Sequence, residues 1–207
     1  MGTALRCGSC LHSLKPYDAP ESVLSVRDGR LATVIESQSS RWPCLATEDP
    51  IWGLIRMVMA QQISTRAACR ISEKLKSEFP SITRPTPESI PDLGCFTKLG
   101  LPKRRAECCV SILHKSNEIR VRIASGESWE GVLRCFKGIG PWTISVFRIM
   151  VLREPDILPL RDVGLERAVA SIYGSGQNIE RLSDQWRPFR SVACWYLWRT
   201  LGNEQLG

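Results

Sequence analysis

The chain predicts a mainly α-helical fold, and three observations predict it. Apolar residues recur at helical spacing over most of the chain after residue 48, helix-starting residues head those segments, and glycine or proline punctuates the gaps. Before them, residues 22–26 and 31–35 are short apolar or alternating pieces on either side of Asp28-Gly29. That dipeptide suits a two-residue turn, so a short β-hairpin is expected near the N-terminus. Asp49 then caps a helix that begins at Pro50 and puts Ile51, Leu54, Ile55, Val58 and Met59 on one face. A second helix covers residues 64–79, and the proline-rich passage 80–91 reads as a connection. Short helices are expected at 90–95, 103–116 and 129–135, an amphipathic one at 142–152, another from near Val163, and a last one over 189–201.

Composition narrows the classes of function. A chain of 207 residues accommodates one compact domain or two interleaved lobes around a sizeable core. A formal charge of +7 and a pI near 9.1 suit a polyanionic partner. Lys98, Lys103, Arg104, Arg105, Lys115, Arg120 and Arg122 crowd one stretch, which is either a binding surface or a solvated helix face. The first residues show no charged-then-apolar leader, and no apolar run nears the roughly twenty residues that span a bilayer. A soluble, intracellular protein with no membrane partner is therefore expected, in cytoplasm, nucleoid or nucleus. Nine cysteines without regular spacing read as reduced thiols, with Cys108, Cys109, Cys135 and Cys194 as core fillers. Cys7 and Cys10, with His12 nearby and Cys44 further on, lack the second pair that a structural zinc site needs.

The stretch richest in chemistry is Phe136-Lys137-Gly138-Ile139-Gly140-Pro141-Trp142-Thr143, followed twenty-two residues after Gly140 by Asp162. Two glycines around one apolar residue let the backbone turn sharply and bring bare N–H groups against a phosphate, with no Cβ in the way. The helix that follows adds its positive N-terminal end, and Ile139 can anchor the turn in the core. These segments read as a helix-hairpin-helix, with Lys137, Gly138, Gly140 and Thr143 as phosphate contacts. The bland alternatives are an ordinary glycine and proline loop, and an Asp162 that does no more than cap a helix.

Four segments in this order carry a wider resemblance: Met59-Ala60-Gln61-Gln62-Ile63-Ser64, Leu99-Gly100-Leu101-Pro102-Lys103-Arg104-Arg105-Ala106, the hairpin with Asp162, and Trp186-Arg187-Pro188-Phe189-Arg190-Ser191 leading to Trp198. From about residue 49 to residue 202 the chain resembles the helix-hairpin-helix DNA glycosylase superfamily, and within it the bacterial 3-methyladenine DNA glycosylase II group. The resemblance implies two helical lobes with the active cleft between them. Residues 1–48 would pack with the C-terminal helices, 49–145 would form the central lobe ending in the hairpin, and 146–207 would carry Asp162. It implies that Asp162 is catalytic, that Trp142, Trp198 and Gln61 line the base pocket, and that Gln62 is the wedge filling the stack behind a flipped base. It also implies a structural Na+ or K+ on the main-chain carbonyls of Arg134, Phe136 and Ile139. Arg190 is read as structural, pairing across the lobes. Relatives resembling endonuclease III hold an iron–sulfur cluster on four closely spaced C-terminal cysteines. This chain has only Cys194 after Cys135, so no such cluster is expected and no cofactor is required.

The reaction follows from the bond such a site breaks. The sugar gains positive charge as the base departs, and a nearby ionised carboxylate stabilises that charge; a helix N-terminus at Asp162 would favour the ionised form. An alkylated purine already carries positive charge, so a strong general acid is dispensable. Members that also cut the backbone carry a lysine two residues beyond the second glycine; Trp142 stands there instead, and an indole forms no Schiff base. Its electron-rich face suits a cationic base. The expectation is a monomeric, monofunctional glycosylase that releases bases of the 3-methyladenine and 7-methylguanine type from damaged double-stranded DNA, opening base excision repair. Two alternatives stay open: the same fold acting on deaminated, oxidised or mismatched bases, and a non-catalytic helix-hairpin-helix DNA-binding protein.

Overall fold

The computed structural model of the protein describes residues 19–42, 49–61, 65–84 and 90–202. Among the described residues are twelve α-helices and no strand: α1 (Pro20–Arg27), α2 (Gly29–Ser37), α3 (Pro50–Ala60), α4 (Thr65–Glu78), α5 (Leu93–Lys98), α6 (Lys103–His114), α7 (Ser116–Ala124), α8 (Trp129–Leu133), α9 (Pro141–Met150), α10 (Val163–Tyr173), α11 (Ile179–Ser183) and α12 (Arg190–Arg199). None of them is long and apolar enough to cross a membrane. Cys7, Cys10, His12, Cys44 and the predicted wedge Gln62 lie outside the described residues.

The β-hairpin expected around Asp28-Gly29 is instead a junction between two helices. Asp28 is extended, and its Oδ1 accepts the N–H groups of Arg30 and Leu31, each at 3.1 Å, which caps α2. Leu31, Val34 and Ile35 then fall at helical spacing on one buried face. The same dipeptide that can turn a hairpin here starts a helix, because the apolar pattern beyond it has the helical period. Cys135, expected in the core, is exposed, since α8 ends two residues earlier and the chain is already turning into the hairpin.

Two buried apolar clusters organise the molecule. The first gathers α3, α6 and the hairpin around Trp52, Phe96, Ile112, Phe136 and Ile139. The second gathers α1, α2, α10 and α12 around Leu31, Val169, Trp186, Val192 and Trp195. Helix α9 serves both: Ile144 and Phe147 enter the first cluster, Val146 and Ile149 the second. Residues two apart on a helix of 3.6 residues per turn point to nearly opposite sides. The helix that follows the hairpin is therefore packed on both faces, and its first turn has little freedom to move.

Two buried carboxylates tie the N-terminal helices to the C-terminal ones. Besides capping α2, Asp28 accepts Tyr173 Oη and Trp186 Nε1 through Oδ2, each at 2.8 Å. Glu21 Oε1 accepts Tyr196 Oη at 3.0 Å and the Trp42 N–H at 3.3 Å. Burial, then the Glu21 charge, pushes the Tyr196 phenol up from 10.0 to about 12. A group whose folded value is raised contributes stability that is intact below its unfolded value and is lost as pH rises through the folded one. Alkaline unfolding is therefore expected to begin near pH 10 and to steepen towards about 12. Tyr196→Phe is expected to flatten that limb, as read by circular dichroism against pH.

Candidate active site

The loop from α9 to α10 delivers the carboxylate, and it is fastened along its length. Arg148 on α9 grips Glu154 with Nε at 3.0 Å and Nη2 at 2.6 Å. Arg190 on α12 grips Asp156, with Nε at 2.6 Å from Oδ1 and Nη2 at 3.2 Å from Oδ2. Bidentate arginine–carboxylate pairs of this kind fix direction as well as distance. Ser191 adds two more ties: its N–H donates to the Pro155 carbonyl at 3.0 Å, and its Oγ accepts the Ile157 N–H at 2.8 Å. Arg190 is thus structural, as expected, but its partner lies in this loop. Val192 is in the second cluster and Ile157 and Leu158 pack against it, so the pair works beside that cluster rather than across the lobes.

Asp162 ends the loop and caps α10, with Oδ1 accepting the Leu165 N–H. The same Oδ1 accepts Trp198 Nε1 at 2.9 Å, and Oδ2 accepts Trp142 Nε1 at 2.5 Å. Three donors from three helices thus hold a carboxylate that is only 6% exposed. Burial of a carboxylate is costly unless hydrogen bonds replace water, and here every replacement is an N–H. Trp142 keeps 42% of its surface open, so its indole has one edge on Asp162 and area left to face a ligand. Trp198, expected as a pocket wall, is 4% exposed and directs its N–H at Asp162; it is placed to position the carboxylate.

Gln61, at the C-terminal end of α3, meets the first turn of α9 through Nε2 on Thr143 Oγ1 at 3.1 Å. This places Gln61 against the residue that follows Trp142 in the chain. The Thr143 hydroxyl is thereby engaged, in a residue only 5% exposed, so a phosphate contact there is left to its main-chain N–H.

The hairpin runs from α8 to α9. The Phe136 N–H donates to the Leu133 carbonyl and the Ile139 N–H to the Phe136 carbonyl, both at 3.1 Å, closing a tight turn. Gly138 sits in that turn at φ 99°, a left-handed conformation that disfavours any residue with a Cβ. Phe136 and Ile139 are buried as anchors, whereas Lys137 and Gly138 are exposed at the tip. Pro141 brings no N–H to the first position of α9, and the N–H groups of Trp142 and Thr143 donate to no backbone carbonyl among the described residues. An exposed, donor-rich turn therefore leads within two residues of Gly140 to the tryptophan that holds Asp162.

That junction of hairpin and capped aspartate decides the family. The pattern of the HhH-GPD superfamily base excision DNA repair protein matches residues 55–188, which takes in Gln61, the hairpin and Asp162. The chain belongs to this superfamily. DNA-3-methyladenine glycosylase 1 of Schizosaccharomyces pombe is 30% identical over 167 residues, covering 74% of this chain and 73% of that protein. DNA-3-methyladenine glycosylase 2 of Escherichia coli is 27% identical over 155 residues, covering 72% of this chain and 54% of that protein, so the match spans about half the relative's length. The solved structure of the S. pombe 3-methyladenine DNA glycosylase in complex with abasic DNA superposes with a TM-score of 0.72 at 25% identity, over 89% of this chain and 97% of that one.

Within the HhH-GPD site, sequence reasoning missed residues whose partners are far away in the chain. Glu154, Asp156 and Ser191 carry no local signal for their tethering role. Gly164 is another: a Cβ there would stand 3.1 Å from Asp162 Oδ1 and 3.5 Å from Trp198 Cδ1, so its absence lets the indole approach the carboxylate. The basic stretch is also less available than its charges suggest, since Arg120 pairs with Asp49 and Arg122 with Glu127. Lys103 and Arg104 remain exposed.

Proposed function

We propose that this HhH-GPD protein is a monofunctional DNA glycosylase that hydrolyses the N-glycosidic bond of alkylated bases, of the 3-methyladenine and 7-methylguanine type, in duplex DNA. The observation that carries the reading is the carboxylate of Asp162, held by Trp142, Trp198 and the Leu165 N–H directly behind the hairpin. The hairpin tip takes a backbone phosphate on its N–H groups, with Lys137 supplying charge. The flipped base stacks on the open face of Trp142, where a cationic alkylpurine gains more than a neutral base does. The C1′–N bond breaks with its electron pair passing to the base, which leaves neutral. Positive charge appears on the sugar, and Asp162 stabilises it in a site from which water is largely excluded. Water then adds to C1′ and releases its proton to Asp162 or to solvent.

The groups around Asp162 also support hydrolysis without backbone cleavage. Its donors are two indoles and a main-chain amide, none of them an amine able to attack C1′ and form a Schiff base. The hairpin carbonyls of Arg134, Phe136 and Ile139 are the groups that would hold a monovalent cation. Among the described residues no backbone N–H donates to the Arg134 or Ile139 carbonyl, and the Phe136 carbonyl accepts one and keeps a second lone pair. Three neutral oxygens of this kind would hold Na+ or K+ and bridge it to a phosphate.

Base release from methylated duplex DNA, with strand breaks scored before and after alkali, tests the whole reading. Free 3-methyladenine or 7-methylguanine, with breaks appearing only after alkali, is the expected result. Breaks before alkali would contradict the monofunctional reading, and binding without release from methylated DNA would contradict the alkylbase assignment. The hairpin supplies a separate test. A Cβ added at Gly140 meets nothing within 4 Å and its backbone is ordinary at φ −96°, so Gly140→Ala is expected to melt like the parent protein. Because that Cβ would enter the space a phosphate takes, it is expected to bind DNA more weakly. Gly138→Ala, strained at φ 99°, is expected to lose about 1–2 kcal/mol of stability in a urea titration.

A further inference from the structure

The turn that delivers Asp162 holds a residue that neither capping nor base release uses. Arg161 sits at φ 58°, in the left-handed region where a side-chain-bearing residue is disfavoured and glycine is not. Strain of this kind persists where something else selects the residue. The side chain is exposed, and its neighbours Leu160 and Val163 are 52% and 57% exposed, so three open side chains surround the sheltered carboxylate. The arginines that fasten the same region are matched within the protein: Arg148 with Glu154, Arg190 with Asp156, and Arg187 with Asp156 and Asp184. No hydrogen bond or ion pair engages Arg161 among the described residues. The cation is therefore held in an unfavourable backbone conformation, beside the carboxylate, with its donors free.

Its place relative to the hairpin says what those donors meet. The Trp142–Asp162 hydrogen bond joins this turn to the first turn of α9, directly behind Lys137 and Gly138. The hairpin tip and Arg161 are thus both joined to the Asp162 site, one through Trp142 and the other as the residue before Asp162. A strand carries one phosphate per about 3.4 Å of duplex, so a nucleotide whose sugar faces Asp162 brings its flanking phosphates within the span of an arginine side chain. An unpaired guanidinium next to the reacting sugar would oppose the positive charge developing there, whereas one neutralised by phosphate would not.

We propose that Arg161 is a phosphate-binding residue, gripping the backbone of the damaged strand beside Asp162, at a point separate from the hairpin. This rests on the proposed glycosylase function. It differs from the hairpin contact in being made by a side chain, with a guanidinium fork suited to phosphate oxygens.

The test compares Arg161→Asn and Arg161→Lys with the parent protein in binding a duplex that carries an abasic site, across a series of salt concentrations. Asparagine tolerates the left-handed turn without charge, and thermal melting checks that each variant is folded. R161N is expected to bind several-fold more weakly at moderate salt, with the slope of log affinity against log salt shallower by about 0.9, the value for one lost phosphate contact. R161K is expected to keep the parental slope. An R161N slope equal to that of the parent overturns the proposal, and so does a slope reduced equally in R161N and R161K, which marks an effect of turn shape. Failure of the parent protein to release any base overturns the underlying function instead, and base release by the parent separates the two.

Discussion

Asp162→Asn is expected to slow base release by orders of magnitude while leaving DNA binding in place. The substitution keeps the shape of the side chain but replaces one acceptor oxygen with an NH2 group. Both oxygens of Asp162 face N–H donors, with Leu165 and Trp198 on Oδ1 and Trp142 on Oδ2. An asparagine can satisfy only one side. Keeping the buried Leu165 and Trp198 bonds turns the NH2 towards the Trp142 indole, donor against donor. The negative charge that opposes oxocarbenium character is lost at the same time. Removing one such electrostatic stabiliser typically costs about 100- to 1000-fold in rate, and single-turnover excision from methylated duplex DNA measures it. The hairpin contacts are untouched, so affinity for an abasic duplex should match or exceed that of the parent protein, with one fewer negative charge near the phosphates. Excision by the variant at the parental rate would remove Asp162 from the chemistry and leave it a helix cap.

Asp28→Ala is expected to cause the largest loss of stability. One carboxylate accepts four hydrogen bonds there: the Arg30 and Leu31 N–H groups, Tyr173 Oη and Trp186 Nε1. Alanine removes the cap of α2, worth about 1 kcal/mol. It also leaves Trp186 Nε1, in a fully buried side chain, without an acceptor, at about 1–3 kcal/mol, and strands the Tyr173 hydroxyl similarly. A total of roughly 3–7 kcal/mol is a large share of the 5–15 kcal/mol that holds a domain folded. The midpoint of urea unfolding reads this directly. Tyr173→Phe, which removes one donor and leaves the carboxylate three, should cost only about 1 kcal/mol. Equal losses in the two variants would mean that the acceptor itself is not what joins these helices. Because α10 runs from Val163 to Tyr173, the same carboxylate steadies the helix that Asp162 caps.

Much of the helical order was legible before any coordinates. Asp49 and Pro50 open α3, and Asp162 caps α10, because a cap is written within four residues of chain. The hairpin was legible for the same reason, as two glycines and a proline act on their own backbone. Asp28-Gly29 misled because the local dipeptide serves a turn or a cap equally well; packing of Leu31, Val34 and Ile35 into the second cluster selects the helix. Helix α12 buries Trp195, Tyr196, Leu197 and Trp198 in succession, so it shows no polar face from which Trp198's surroundings could be read.

The sequence by itself determined the mainly helical class, the hairpin, the capped aspartate behind it and the family they mark. All of these depend on periodicity and on spacings of a few residues. Tertiary structure decided which atoms meet. Trp142 and Trp198 stand twenty and thirty-six residues from Asp162, and their N–H groups converge on it only because α9, α10 and α12 pack together. The same packing withdrew the Thr143 hydroxyl to Gln61, paired Arg190 with Asp156 and left Arg161 exposed, with no partner among the described residues. Hydrogen-bond partners across such distances are chosen by the shape of the folded core, and a residue pattern carries no record of that shape until the core is formed.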